Sequence, residues 1–113
     1  MAKVDAHTLG DDISAFAAAV GREFAPERII LFGSRARGDA GQDSDADIMV
    51  VMNFDGHPAW RAWEILKRVP RAFPLDLLVR TPADLAARYA QFDPIAREAV
   101  DRGIVLYERA RAA

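Results

Sequence analysis

The stretch Ile29–Val51, IILFGSRARGDAGQDSDADIMVV, constrains this chain more than any other part of it. Two apolar runs rich in branched residues, Arg28–Phe32 and Ala46–Met52, read as strands. Gly33 ends the first. Ser34–Arg37 reads as a short helical turn stopped by Gly38, and Asp39–Ser44 as a polar loop that turns at Gly41. The second strand opens on Asp45-Ala46-Asp47. Residues two apart on a strand share a face, roughly 6–7 Å apart at Cα. Two carboxylates so placed can converge on one hard cation, and aspartate oxygens suit Mg²⁺. Without a cation they repel, and one tends to hold a proton. The same D-x-D pattern also fits a solvated strand entrance.

The flanking sequence reads as a scaffold of short elements. Thr8–Phe24 carries Leu9, Ile13, Phe16, Ala17, Val20 and Phe24 at helical spacing, with Thr8 as N-cap and Asp11 and Asp12 in the first turn. Pro26 breaks that helix. Pro58–Val69 is a second helix, ended by Pro70, with Trp60, Trp63, Leu66 and Val69 at three-residue steps close to one face. The tryptophans read as core or edge packing, with base stacking as the alternative. His7 and His57, each flanking a helix, read as solvated. Pro74–Arg80 is a third strand. Thr81-Pro82 and Asp93-Pro94 are paired cap-and-proline starts of two more helices, the first turning Leu85, Ala86 and Tyr89 inward, the second ending near Arg102 at Gly103. Ile104–Tyr107 is a last short strand. Strands alternating with helices give an α/β layer around one small sheet. Residues 1–113 read as a single domain.

Composition removes several chemistries. There is no cysteine, so disulfides, thiolate metal sites and cysteine nucleophiles are excluded. Fifteen basic against 17 acidic residues leave a net charge of −2, with no global nucleic-acid footprint. No apolar run resembles a signal peptide or is long enough to span a membrane, so the expectation is a soluble cytoplasmic protein. The chain also lacks G-x-G-x-x-G and the Gly-Lys-Ser/Thr of a P-loop.

Asp76 extends the acidic pair. In the third strand it shares a face with Leu78, while Leu75, Leu77 and Val79 share the other. An aspartate inside so apolar a strand is costly to bury unless it binds metal or pairs with an arginine. If this strand neighbours the second one, Asp76 joins Asp45 and Asp47. Gly33-Ser34 is either a tight turn or a phosphate cradle: glycine admits close backbone approach, and the turn that follows offers N–H groups and the Ser34 hydroxyl. Arg35 and Arg37 add charge against a polyphosphate or point elsewhere.

Gly33-Ser34, ten intervening residues, Asp45-x-Asp47 and then an aspartate in a later apolar strand resemble the nucleotidyltransferase fold of the DNA polymerase β superfamily. The chain looks most like its smallest branch, the minimal nucleotidyltransferases encoded beside HEPN-domain proteins. The likeness covers nearly the whole chain; Ala46, where a bulkier aliphatic residue is common, is a mild departure. It implies a small mixed sheet packed with helices. It implies two Mg²⁺ ions held by Asp45, Asp47 and Asp76, with Asp76 also helping to deprotonate the acceptor. Gly33, Ser34 and Arg35 would bind the triphosphate of ATP. It further implies transfer of AMP to a tyrosine of a HEPN-type toxin, an antitoxin function in a hetero-oligomer. A non-catalytic module that neutralises the partner by binding is the alternative, with Trp60, Trp63, Arg102, Arg109 and Arg111 as interface. Transfer to a small molecule such as an aminoglycoside fits the fold but not the size.

Overall fold

The computed structural model describes residues 10–38 and 45–110. In chain order these form α1 (Asp11–Phe24), β1 (Arg28–Phe32), α2 (Ser34–Arg37), β2 (Ala46–Val51), α3 (Pro58–Arg68), β3 (Leu75–Arg80), α4 (Pro82–Ala90), α5 (Pro94–Arg102) and β4 (Ile104–Glu108). The strands make one mixed sheet in the order β3-β2-β1-β4. β1 runs antiparallel to both β2 and β4, and β2 runs parallel to β3. Parallel neighbours need a crossover, which α3 supplies.

Helices cover both faces, so the central strands are apolar on both sides rather than alternating. On one face α1 and α3 pack Ile13, Phe16, Ala17, Val20 and Ile65 against Ile29, Leu31, Ala46, Ile48, Val50 and Val79. On the other, α4 and α5 bring Leu85, Ala96 and Ala99 against Ile30, Phe32, Met49 and Val51. Three helices start on a cap followed by proline. The side chains of His57, Thr81 and Asp93 accept the backbone N–H of Ala59, Asp84 and Ala96, each at 3.0 Å. His57 is therefore an N-cap as well as exposed.

Several expectations change. The first helix begins at Asp11 behind Gly10, with Asp11 and Asp12 in its first turn. The expected cap Thr8, with His7, Leu9, the Asp39–Ser44 loop and Arg111, lies outside the described residues. Ala86 is exposed, whereas Leu85 is buried and Tyr89 is partly so. Trp60 and Trp63 are not core residues: they are 70% and 54% exposed. A three-residue step slips by about 60° on a helix, so the series from Trp60 to Val69 winds half-way round it. The buried side of α3 is instead Ile65, with Ala62 and Leu66 partly covered and Val69 beyond the last turn.

One close pass pins α5 to the sheet. A Cβ at Gly103 would collide with the Ala99 carbonyl oxygen and with Ile30 Cγ2. The first is backbone and the second lies in the core, so neither yields cheaply. Gly103→Ala is expected to destabilise the fold by about 1–3 kcal/mol in urea unfolding, with the slope of the transition unchanged.

Candidate active site

The site is built where β1 and β3 meet the start of β2. β1 ends at Phe32, and Gly33 then adopts φ 77°, ψ −157°, a region only glycine enters readily. The Gly33 carbonyl accepts the N–H groups of Ala36 and Arg37 at 3.1 and 3.0 Å, which closes α2. Gly38 (φ 84°) ends it by donating to the Ser34 carbonyl at 3.0 Å. Gly33 is needed for a second reason: a Cβ there would run into the Asp47 carboxylate. The turn and the second aspartate of the D-x-D are therefore in direct apposition.

Strand register supplies the third carboxylate. Phe32 is opposite Asp47 in the antiparallel pair, and Asp47 is opposite Asp76 in the parallel pair. The pairing begins where the Ala46 N–H donates to the Pro74 carbonyl at 2.9 Å. Adjacent strands lie about 4.8 Å apart, so Asp47 and Asp76 are immediate neighbours on one face. That is the face carrying Met49, Val51 and Leu78, under α4 and α5. Ala46 points to the opposite face and is fully buried in the larger core, which accounts for a small residue there.

Asp47 is half-buried, whereas Asp45 and Asp76 are exposed. The premise that Asp76 is an aspartate forced into a buried strand is thus incorrect. β3 is an edge strand, and Asp76 stands near its open end. Burial pushes the Asp47 carboxyl above its ordinary range, and the charges of Asp76, Asp45 and Glu98 push it further; Arg37 opposes them. A cation among these oxygens would relieve the repulsion that they exert on one another. Among the described residues, no three acidic or histidine side chains stand close enough together to hold a metal as they are. The donor set is still of the kind a hard divalent ion takes: Asp47 and Asp76 share one face of the sheet, Asp45 precedes Asp47 by two residues, and the turn beside them has no Cβ.

Ser34 and Arg35 follow Gly33 on α2 and are both partly buried. Sequence reasoning missed Glu98. On α5, it accepts a hydrogen bond from Arg37 Nη1 across 61 residues of chain, and no local pattern marks such a pairing. Trp60 and Trp63 do not enter this site. They stand on the first half of α3, which follows the far end of β2, edge to face at 5.9 Å, with Lys67 Nζ 4.8 Å above the Trp63 ring. Surface hollows lined by these tryptophans lie there, away from the carboxylates.

The family model of the nucleotidyltransferase domain matches residues 13–106, which include every residue of this arrangement. The chain belongs to that family. The nucleotidyltransferase fold is shared with a candidate nucleotidyltransferase from Sulfolobus solfataricus, at a TM-score of 0.63 and 21% identity over 96% of this chain and 93% of that one. A crystal structure of a toxin–antitoxin with AMP-PNP is also similar, with a TM-score of 0.59 and 23% identity over 84% of this chain and 73% of that one. No match was found among curated proteins.

The electrostatics of this nucleotidyltransferase domain fix a pH dependence. An aspartate whose folded value is raised contributes stability below the ordinary aspartate range, and that contribution is lost as pH rises through the raised value. At neutral pH, ionised Asp47 therefore opposes folding. Asp47→Asn should raise the melting temperature at pH 7. The difference from the parent chain should shrink as pH falls through the ordinary aspartate range and vanish well below it, where the Asp47 carboxyl is protonated in both folded and unfolded chains.

Proposed function

We propose that this chain is a Mg²⁺-dependent protein adenylyltransferase that moves AMP from ATP to a tyrosine of a HEPN-type toxin partner, as the antitoxin of a two-gene module. The observation that carries this reading is the apposition of the Gly33 turn to Asp47, with Asp76 in register beside it. It puts the Gly33 backbone against acidic oxygens with no side chain between them, at one end of the sheet. The likeness to a toxin–antitoxin structure holding AMP-PNP supports both the nucleotide and the kind of partner. ATP as substrate agrees with a cytoplasmic place of action.

In this reading Gly33 and Ser34 receive the triphosphate tail through backbone and hydroxyl groups, and Arg35 adds charge. Asp45, Asp47 and Asp76 would hold two Mg²⁺ ions. When bound, these supply charge neutralisation at the attacking and leaving oxygens. The tyrosine oxygen attacks the α-phosphorus, its bond to the pyrophosphate oxygen breaks, and pyrophosphate leaves. Asp76 takes the tyrosine proton. Its exposure suits an acceptor that arrives from solvent. The chain's share of catalysis is chiefly to position and to screen.

A second reading, neutralisation by binding alone, is favoured by the large exposed side chains Trp60, Trp63, Phe92 and Ile95, the composition of a docking surface. Incubation with α-labelled ATP, Mg²⁺ and the toxin encoded beside it separates the two. Catalysis predicts label on the toxin. Asp47→Asn should lower it by more than the roughly 10- to 100-fold typical of losing an outer-sphere partner of a metal, with complex formation intact. Absence of label with both proteins folded sinks the transferase reading. Full protection of cells by Asp47→Asn supports binding alone.

A further inference from the structure

The outer side of α3 is unused by the candidate active site. Trp60 and Trp63, the chain's two tryptophans, are 70% and 54% exposed there. At about 100° per residue, Trp60, Trp63, Glu64 and Lys67 form one stripe turned away from buried Ile65. Surface hollows on this side are lined by His57, Ala59 and both rings, and beyond them by Asp55, Lys67 and Arg68. An apolar patch of this kind is relieved by burial against a second surface. The charges say which surface. Exposed Asp55 stands before the helix, and exposed Lys67 and Arg68 stand in its last turn. Between them Arg61 and Glu64 neutralise each other in an ion pair. The face is thus acidic at one end, apolar in the middle and basic at the other.

We propose that this face is the interface of a homodimer, in which α3 packs antiparallel on α3 of a second copy about a twofold axis between the tryptophans. Positions that face each other across such an axis have numbers with one constant sum. Trp60 then meets Trp63 of the other copy, and Asp55 comes level with Arg68 of the other copy. Each contact occurs twice, as a twofold axis requires. Parallel helices would instead set acid on acid and base on base. Lys67, held over the Trp63 ring, keeps a cation beside the apolar centre. A fully buried aromatic side chain covers about 150–250 Å², so what the two tryptophans still expose is roughly 200–300 Å² per copy. That is about a third of the roughly 800 Å² per partner in a standard interface, and flanking residues of α3 supply more. An interface of this size suits a dissociation constant in the micromolar range. It lies away from Asp47 and Asp76, so the dimer forms whether or not the chain transfers nucleotides.

Sedimentation velocity on the intact chain, from about 1 to 300 µM, tests this, with tryptophan emission read over the same range. The chain should pass from monomer to dimer, and emission should move to shorter wavelength in step, because both tryptophans lie in the interface. Trp60→Ala should weaken association more than about tenfold, with circular dichroism unchanged since the ring is exposed. Asp55→Arg should weaken it by roughly three- to tenfold, and adding Arg68→Asp to that variant should restore most of the loss. A monomer at every concentration overturns the proposal. So does a dimer that forms without the emission shift or that survives Trp60→Ala, since its interface is elsewhere. Indifference to Asp55→Arg, or failure of the charge swap to restore association, overturns the antiparallel pairing on which the choice of a second copy stands. A chain that stays monomeric alone, and whose Trp60→Ala variant no longer binds the toxin, gives this face to the toxin and overturns the proposal likewise.

Discussion

The parallel pairing of β2 with β3 is the constraint on which the rest of the structure depends. It sets Asp47 directly beside Asp76, two like charges about one strand spacing apart. An arrangement of that kind opposes folding unless something else holds it. What holds it is the apolar remainder of both strands. Ile48, Met49, Val50, Val51 and Val79 are buried, and the pairing runs through to Arg80. The carboxylates sit at the first residues of the pairing, with Asp76 in solvent and Asp47 half in it. The sheet thus concentrates repulsion at one edge and anchors it from the other.

The same pairing dictates connectivity. Antiparallel β1 and β2 can be joined by a turn, but β2 and β3 require the α3 crossover. β2 ends at the far end of the sheet, and that crossover returns the chain to the acidic end. It leaves the tryptophans on the first half of α3 remote from the carboxylates. The β1–β2 connection passes beside the acidic end, and Gly33 lets it pass close enough to touch Asp47. Two cores, one on each side of the sheet, then fix the central strands. α5, in the smaller core, delivers Glu98 to Arg37.

Much of this was legible in the chain. Strand apolarity, the cap-and-proline starts at Thr81 and Asp93, the left-handed glycine at Gly38 and the two faces of β3 are local signals, and the structure has them. The company of Asp76 with Asp47 is legible only as a condition, that β3 neighbour β2. Three features were not legible. Asp76 was expected to be buried because its neighbours are apolar, but edge position and local cover decide burial, and neither is written in a strand's own sequence. Core or edge packing is the reading that large apolar residues such as Trp60 and Trp63 invite, yet the slip of a three-residue step carries both away from Ile65 and out of the core. Glu98 has no local signature, since its partner lies on another element.

The proposed reaction requires a metal and phosphate site at the end of the sheet marked by Gly33, Asp47 and Asp76. Paramagnetic broadening of backbone amide signals by substoichiometric Mn²⁺ tests it most directly, because it locates the ion without assuming any reaction. Gly33, Ser34, Asp47 and Asp76 should broaden first, while residues from His57 to Trp63 stay sharp. Broadening centred on the α3 surface, or spread evenly over the acidic residues of the chain, would contradict it.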